Sequence, residues 1–240
     1  LQKEYVRSLF NSIARRYDLL NHLLSGGMDI YWRRKAVEHL RDIQPRMILD
    51  VATGTADLAI AALRLAPETV IGVDIAGEML RLGEAKVKRR GYDGVIRLQP
   101  GEAEELGFAS DSFDGAMVAF GVRNFEDLQK GLSEMHRVLR PGGKIVVLEF
   151  SRPRHFPFKQ TYLFYFVRIL PLVGKNISKN RDAYRYLPDS VMKFPEGKEF
   201  QEILKRVGFN RITEQRLTFG IVSIYAGRKG GPPYRNRVNH

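Results

Sequence analysis

The sequence predicts an α/β protein: a Rossmann-like, seven-stranded, mostly parallel sheet with helices on both faces. Three observations carry this. From residue 46 apolar strand-like runs, near 46–51, 69–74, 95–99, 113–119 and 144–150, alternate with helical periodicity, and that alternation demands a sheet covered on both sides. The first run ends in Asp50 and the second in Asp74, twenty residues beyond Gly54, so two strand ends deliver carboxylates to one crevice. Two further strands, near 210–217 and 219–228, are separated only by Thr218. That link implies an antiparallel hairpin at the sheet edge. A chain of 240 residues can bury one sizeable core, and a single domain over 1–228 is expected.

In chain order, residues 1–45 form an N-terminal helical segment. Tyr5, Val6, Leu9, Phe10 and Ile13 share one helical face, and Trp32, Ala36, Val37 and Leu40 share another. Tyr17 to Met28 lies between them. Pro141-Gly142-Gly143 reads as a turn feeding the fifth strand. After Ser151 the pattern breaks, and residues 152–195 read as a lid-like insertion. Its apolar run from Tyr162 to Gly174 is interrupted by Arg168 and Pro171 and is too short to span a bilayer. It suits a lid or a membrane-facing surface; a helix packed into the core is the plainer alternative. A helix near 196–207 follows. Residues 229–240, with Gly230-Gly231-Pro232-Pro233 and the charges Arg235 and Arg237 next to Arg228 and Lys229, read as a disordered basic tail.

Composition narrows the chemistry. With no cysteine, disulfides, thiolate-bound zinc and a cysteine nucleophile are excluded, which fits a reducing cytoplasm. No His/Asp/Glu group has metal-ligand spacing. Neither a spanning segment nor a signal peptide is visible, and the start at Leu1 leads one to expect a few residues ahead of it. The net charge of +12, from 39 basic and 27 acidic residues, favours anionic partners: nucleic acid or the negative face of a membrane.

The loop after the first strand, Ala52-Thr53-Gly54-Thr55-Ala56-Asp57, lacks the G-x-G-x-x-G that brings backbone N–H groups to a pyrophosphate. Asp50 at its mouth would repel a diphosphate. A nucleoside with an ammonium group and no phosphate fits better, and S-adenosylmethionine has those features. Asp74 is then placed to accept from the ribose hydroxyls.

Three motifs resemble those of the quinone-biosynthesis C-methyltransferases of the UbiE/MenG type. They are Tyr17-Asp18-x-x-Asn21-x-x-Leu24-Ser25-Gly26 closing on Trp32, Ala119-Phe120-Gly121-Val122-Arg123-Asn124-Phe125, and Arg137-Val-Leu-Arg140-Pro-Gly-Gly with Leu148-Glu149-Phe150-Ser151. They agree in order and spacing, and the likeness runs from about residue 3 to residue 228. The resemblance implies a class I S-adenosylmethionine-dependent methyltransferase fold. It also implies cofactor contacts at Asp50, Gly54, Thr55 and Asp74, with Glu102 and Ala103 beside the adenine and Ala119 near the methionine end. Ala56 stands where the family usually has Gly, so a positive φ is not expected there. Asp29 replaces a common His and is assigned no catalytic role.

The reaction so implied is C-methylation of a prenylated quinol: demethylmenaquinol to menaquinol, or a benzoquinol in ubiquinone synthesis. The Ala52–Asp57 loop and Asn21-His22-Leu23-Leu24-Ser25 incline the reading to the naphthoquinol. Carbon is a poor nucleophile until a neighbouring hydroxyl loses its proton, so the site needs alignment and a group that stabilises the phenolate. Arg123, with Asn124 as hydrogen-bond partner and Tyr17 closing over the site, is the expected catalytic set. Because Arg is a poor proton acceptor, a water would carry the proton. The plainer alternatives are a loop-ordering salt bridge from Arg123 to Asp18 or Glu149, simple packing for Tyr17, and a structural role for His22.

Phe156, Phe158, Tyr162, Phe164, Tyr165 and Phe166, with Lys159, Arg168, Lys175, Lys179, Arg181 and Arg185, suit peripheral contact with an anionic membrane. Self-association stays open. Two rival classes are weighed. A nucleic-acid methyltransferase draws on the charge and on Gly231-Pro232-Pro233-Tyr234, which resembles a base-stacking N-P-P-Y but lies far from the fourth strand. A cofactor-binding protein without catalysis is the other.

Overall fold

The computed structural model describes residues 2–154, 156, 157, 160 and 181–231. Helix α1 is Gln2–Ser25 and α2 is Met28–Glu38; β1 (Met47–Val51), α3 (Asp57–Ala62), β2 (Thr69–Asp74), α4 (Gly77–Arg89) and β3 (Ile96–Pro100) follow. Then come β4 (Phe113–Ala119), α5 (Leu128–Val138), β5 (Leu139–Phe150), α6 (Arg181–Lys193), α7 (Lys198–Arg206), β6 (Phe209–Leu217) and β7 (Val222–Lys229). The strand order is β3-β2-β1-β4-β5-β7-β6. Strands β1 to β5 pair in parallel, and β7 runs antiparallel to both β5 and β6.

Alternation along each strand sorts the core into two layers. Leu49 and Val51 of β1, and Ala116 and Val118 of β4, pack with Leu132 and Met135 of α5 and Phe200 and Leu204 of α7. Ile48 and Met117 point the other way, onto Trp32, Ala36 and Val37 of α2 and Leu58, Ala59 and Ala62 of α3. Successive strand residues face opposite sides, so near-continuous apolar runs mark strands buried on both faces. Asp127 caps α5, its carboxylate accepting from Lys130 N at 2.9 Å, which satisfies an otherwise orphaned N–H.

Four details differ from the sequence reading. Helix α1 continues through Tyr17 to Ser25 where an interhelical segment was expected. Pro141-Gly142-Gly143 lies within β5 as a bulge: Leu139 pairs with Phe113, and pairing resumes only at Lys144 opposite Gly115. The hairpin link is a 3₁₀ turn, Thr218–Gly220, with Thr218 and Phe219 left-handed. Lys229, assigned to a loose tail, ends β7, where its ammonium sits 2.7 Å from Asp111 and donates to the Leu139 carbonyl. Its neighbour Arg228 pairs with Asp42, and two buried-stem cations facing carboxylates hold the strand end in the sheet.

Most of the expected lid lies outside the described residues, including Phe158, Lys159, Tyr162, Phe164, Tyr165, Phe166, Arg168, Lys175 and Lys179; so do Pro232 to His240 of the tail. Phe156 is described and is 80% exposed. Among the described residues no helix is long and apolar enough to cross a membrane.

Candidate active site

Sheet order reverses between β1 and β4, and a crevice at such a switch point is where α/β sheets hold ligands. A cleft of about 680 Å³, its open mouth included, lies there. It is lined by Lys3, Val6, Phe10 and Tyr17 of α1, by Val51, Gly54 and Asp74 at the ends of β1 and β2 and the loop after β1, and by Ala119, Phe120, Asn124 and Phe125 at and after the end of β4.

The loop below the cleft is a tight turn made with left-handed residues: Ala52 at φ 53°, Gly54 at 55° and Ala56 at 69°. The Ala56 value overturns the expectation that an alanine would avoid this region. A left-handed alanine costs about 1–2 kcal/mol. The turn is nevertheless set by Thr53 N to Val73 O at 3.0 Å, Ala56 N to Thr53 O at 2.9 Å and Gly54 N to Asp74 Oδ2 at 2.8 Å, while the Ala56 methyl is fully buried. Phe120, just after β4, is also left-handed at 58°. Strain of this kind gathers where the surroundings over-determine it, typically at functional sites. Gly121 has no room for a side chain: a Cβ there would lie 2.6 Å from that of Ala52.

Asp74 ends β2 half-buried in the cleft, accepting from Gly54 N and, through Oδ1, from Ala76 N at 2.8 Å. With the Ile75 N–H also facing it, the carboxylate still has acceptor capacity for a further hydroxyl donor. Burial pushes its pKa upward against these N–H bonds. Asp50 lies beneath the loop, 1% exposed, with Oδ2 accepting from Thr53 Oγ1 at 2.6 Å. Its Oδ1 is buried without a hydrogen-bond partner, although the Ala59 N–H faces the carboxylate. Burial drives its pKa up to about 7. An orphaned carboxylate oxygen beneath the loop, and open space over Gly54 where a Cβ would meet nothing within 4 Å, suit a cationic nucleoside ligand.

The other sequence candidates fall in different places. Ala103 and Ala119 line the cleft. The Glu102 carboxylate instead receives Lys3 Nζ at 2.6 Å and lies off the cleft lining. Thr55 is a structural tie: its hydroxyl bonds Asp18 at 2.5 Å, and Lys86 Nζ reaches Thr55 Oγ1 at 3.1 Å, Asp18 at 2.6 Å and Asp57 at 2.7 Å. This cluster fastens α1 to the loop and to α4. Arg123 is committed to Glu149 at 2.7 Å, to the Phe120 carbonyl and to Ser190 Oγ at 3.2 Å, and its guanidinium lies 5.6 Å from the Phe150 ring centre. Both members of the pair are buried, and burial lifts the Glu149 pKa despite the guanidinium beside it. Asn124, in the same 3₁₀ turn, opens onto the cleft. Burial pushes the Tyr17 hydroxyl up, and its ring meets Phe10 edge-on. His22 bonds Asp29, which also takes Ser25 and Arg33.

Sequence reasoning missed Glu104, Tyr186, whose hydroxyl bonds Asn124, and the part of the α1 wall formed by Lys3, Val6 and Phe10. Glu104 is 7% exposed, lines the cleft and accepts from Glu126 N at 2.7 Å; nothing in the run Glu102-Ala-Glu-Glu distinguishes it. Val6 and Phe10 stand out in the sequence only as part of a common helical face, and such a stripe reads the same whether it faces a core or a cleft.

The sheet order, the crevice and the carboxylate-ended second strand define a class: a nucleoside-binding methyltransferase fold. A possible histamine N-methyltransferase of the S-adenosylmethionine-dependent type from Thermotoga maritima superposes with a TM-score of 0.65 at 18% identity, over 93% of this chain and 99% of that one. The profile of the ubiE/COQ5 methyltransferase family matches residues 1–229, and the chain belongs to that family. It is 46% identical over 229 residues to the demethylmenaquinone methyltransferase of Bacteroides fragilis, covering 95% of this chain and 94% of that protein. It is 47% identical over 229 residues to the ubiquinone/menaquinone biosynthesis C-methyltransferase UbiE of Geobacter sulfurreducens, covering 95% and 89%. The chain is thus an S-adenosylmethionine-dependent methyltransferase.

Proposed function

We propose that this methyltransferase acts on a ring carbon of a prenylated demethylmenaquinol, the last step of menaquinone synthesis. The observation that carries the reading is a single cleft lined both by Asp74, the carboxylate that ends β2, and by the Asn124 amide with Phe120 and Phe125. The name of the B. fragilis relative supports the naphthoquinol; that of the Geobacter relative supports a benzoquinol as a second acceptor.

The bound cofactor supplies an electrophilic sulfonium methyl. Asp74 accepts from the ribose hydroxyls, the Gly54 backbone takes the ammonium end above the buried charge of Asp50, and Ala103 flanks the adenine with Glu104 below. The apolar walls hold the quinol ring in line with the methyl. The quinol hydroxyl would first give its proton to water. The ring carbon would then take the methyl as the methyl–sulfur bond breaks and S-adenosylhomocysteine is released, and the displaced ring proton would pass to water as aromaticity returns. Asn124 donates to the phenolate oxygen. Arg123, held by Glu149, adds positive potential through a water, and Tyr17 closes the site.

The test is methylation of reduced demethylmenaquinone and of the corresponding benzoquinol by purified protein, read by mass spectrometry. Turnover of neither defeats the proposal, and turnover of the benzoquinol alone replaces the substrate. We further propose a cytoplasmic enzyme that meets its acceptor at an anionic bilayer. Co-sedimentation with anionic vesicles at low salt supports this; no binding rejects it.

A further inference from the structure

An amide has a donor end and an acceptor end, and a phenolate can use only the donor. Something must therefore decide which end of Asn124 faces the acceptor. The Tyr186 hydroxyl, on α6, donates to Asn124 Oδ1 at 2.9 Å. With its carbonyl oxygen so engaged, the amide presents its NH₂ group to the cleft that Asn124 lines. Tyr186 is itself held: its ring meets Tyr5 of α1 edge-on at 5.8 Å. One turn further along α6, Ser190 takes the Arg123 guanidinium at 3.2 Å. Helix α6 thus grips Arg123 and Asn124 of the three-residue 3₁₀ turn after β4, 67 and 62 residues away in the chain. Burial pushes the Tyr186 hydroxyl up against the Arg123 charge, so it keeps its proton; a phenol donates more readily than it accepts, which favours the carbonyl end of the amide as its partner.

We propose that Tyr186 is a positioning residue, which locks the Asn124 amide with its NH₂ toward the acceptor oxygen so that it can stabilise the phenolate. This rests on the quinol reading above. Without the tyrosine hydroxyl the amide is free to flip, and in the flipped state its oxygen faces the developing negative charge and repels it. The effect falls on the transition state rather than on cofactor binding.

The experiment compares wild type with Tyr186→Phe, which keeps the ring and its contact with Tyr5. Loss of an oriented donor should lower kcat about tenfold with little change in KM and none in S-adenosylmethionine affinity. A second measurement needs no turnover: 1-naphthol is titrated by absorbance in the cofactor-loaded site. It should ionise at lower pH in wild type than in Tyr186→Phe. In an Asn124→Ala background the tyrosine substitution should have no further effect on either readout. Equal naphthol ionisation in wild type and Tyr186→Phe overturns the proposal, as does a Tyr186→Phe protein that loses cofactor affinity and thermal stability along with kcat. If wild type methylates no quinol but the two naphthol titrations still differ, the substrate reading fails and the positioning role of Tyr186 stands.

Discussion

Asp50 gives the sharpest test of the loop. Its carboxyl is 1% exposed, has one orphaned oxygen, and titrates near 7 rather than at its ordinary 3.8, because burial, reinforced by the nearby Asp74 charge, outweighs Thr53, the Ala59 N–H and Arg33. The folded-state value lies above the unfolded one. Between about pH 4 and 7 the folded chain therefore holds more protons than the unfolded chain, and stability falls as pH rises through that window. A displacement from 3.8 to about 7 corresponds to about 4 kcal/mol of stability present at low pH and lost by pH 8. Asp50→Asn cannot ionise and so lacks this loss. Burying the amide has its own cost, but that cost does not vary with pH and cancels from the comparison. Urea denaturation of the cofactor-free proteins at pH 4, 5, 6, 7 and 8 measures the difference. The variant should gain on wild type by up to about 4 kcal/mol across the series. A constant difference between the two proteins, or one that shrinks toward pH 8, would refute the argument. Cofactor binding should move oppositely: an ammonium recruits the ionised carboxylate, so wild-type affinity should rise between pH 6 and 8 while that of Asp50→Asn stays flat.

Asp74→Ala removes both loop-holding acceptors and the proposed ribose acceptor, and calorimetry should show S-adenosylmethionine binding at least about tenfold weaker. Arg123→Ala strands Glu149, which is 0% exposed, and should cost about 3–5 kcal/mol in chemical denaturation; adding Glu149→Gln should recover much of that stability without recovering turnover. Recovery of both would leave Arg123 a purely structural role. Lys86→Met leaves Asp18 and Asp57 without their shared cation, so α1 should loosen. Stopped-flow measurement should show faster cofactor dissociation together with a lower melting temperature, and an unchanged off-rate would separate α1 from cofactor retention.

Strand ends and motif spacing are local properties, and they were legible in the amino-acid sequence. Apolar runs alternating with helical periods placed β1 to β5. The carboxylate ending β2, Asp74, marked the crevice beside β1, while Asp50 lies buried beneath it, and three spaced motifs pointed to the family. Even the partner of Arg123 was narrowed to Asp18 or Glu149. Other features depend on which distant surfaces meet, and only tertiary structure decided them. Ala56 is left-handed because backbone bonds from Val73 and Asp74 close the turn around it, a constraint invisible to its own propensity. Thr55 became a tie rather than a cleft residue because Asp18 and Lys86 converge on it from two helices. Glu102 and Glu104, alike in type and two residues apart, both face Lys3, at 2.6 and 3.6 Å, but only Glu104 also takes the backbone N–H of Glu126 and is buried at the cleft. A carboxylate's role follows from its neighbours in space, and a linear pattern specifies those neighbours only within a turn or two of the chain.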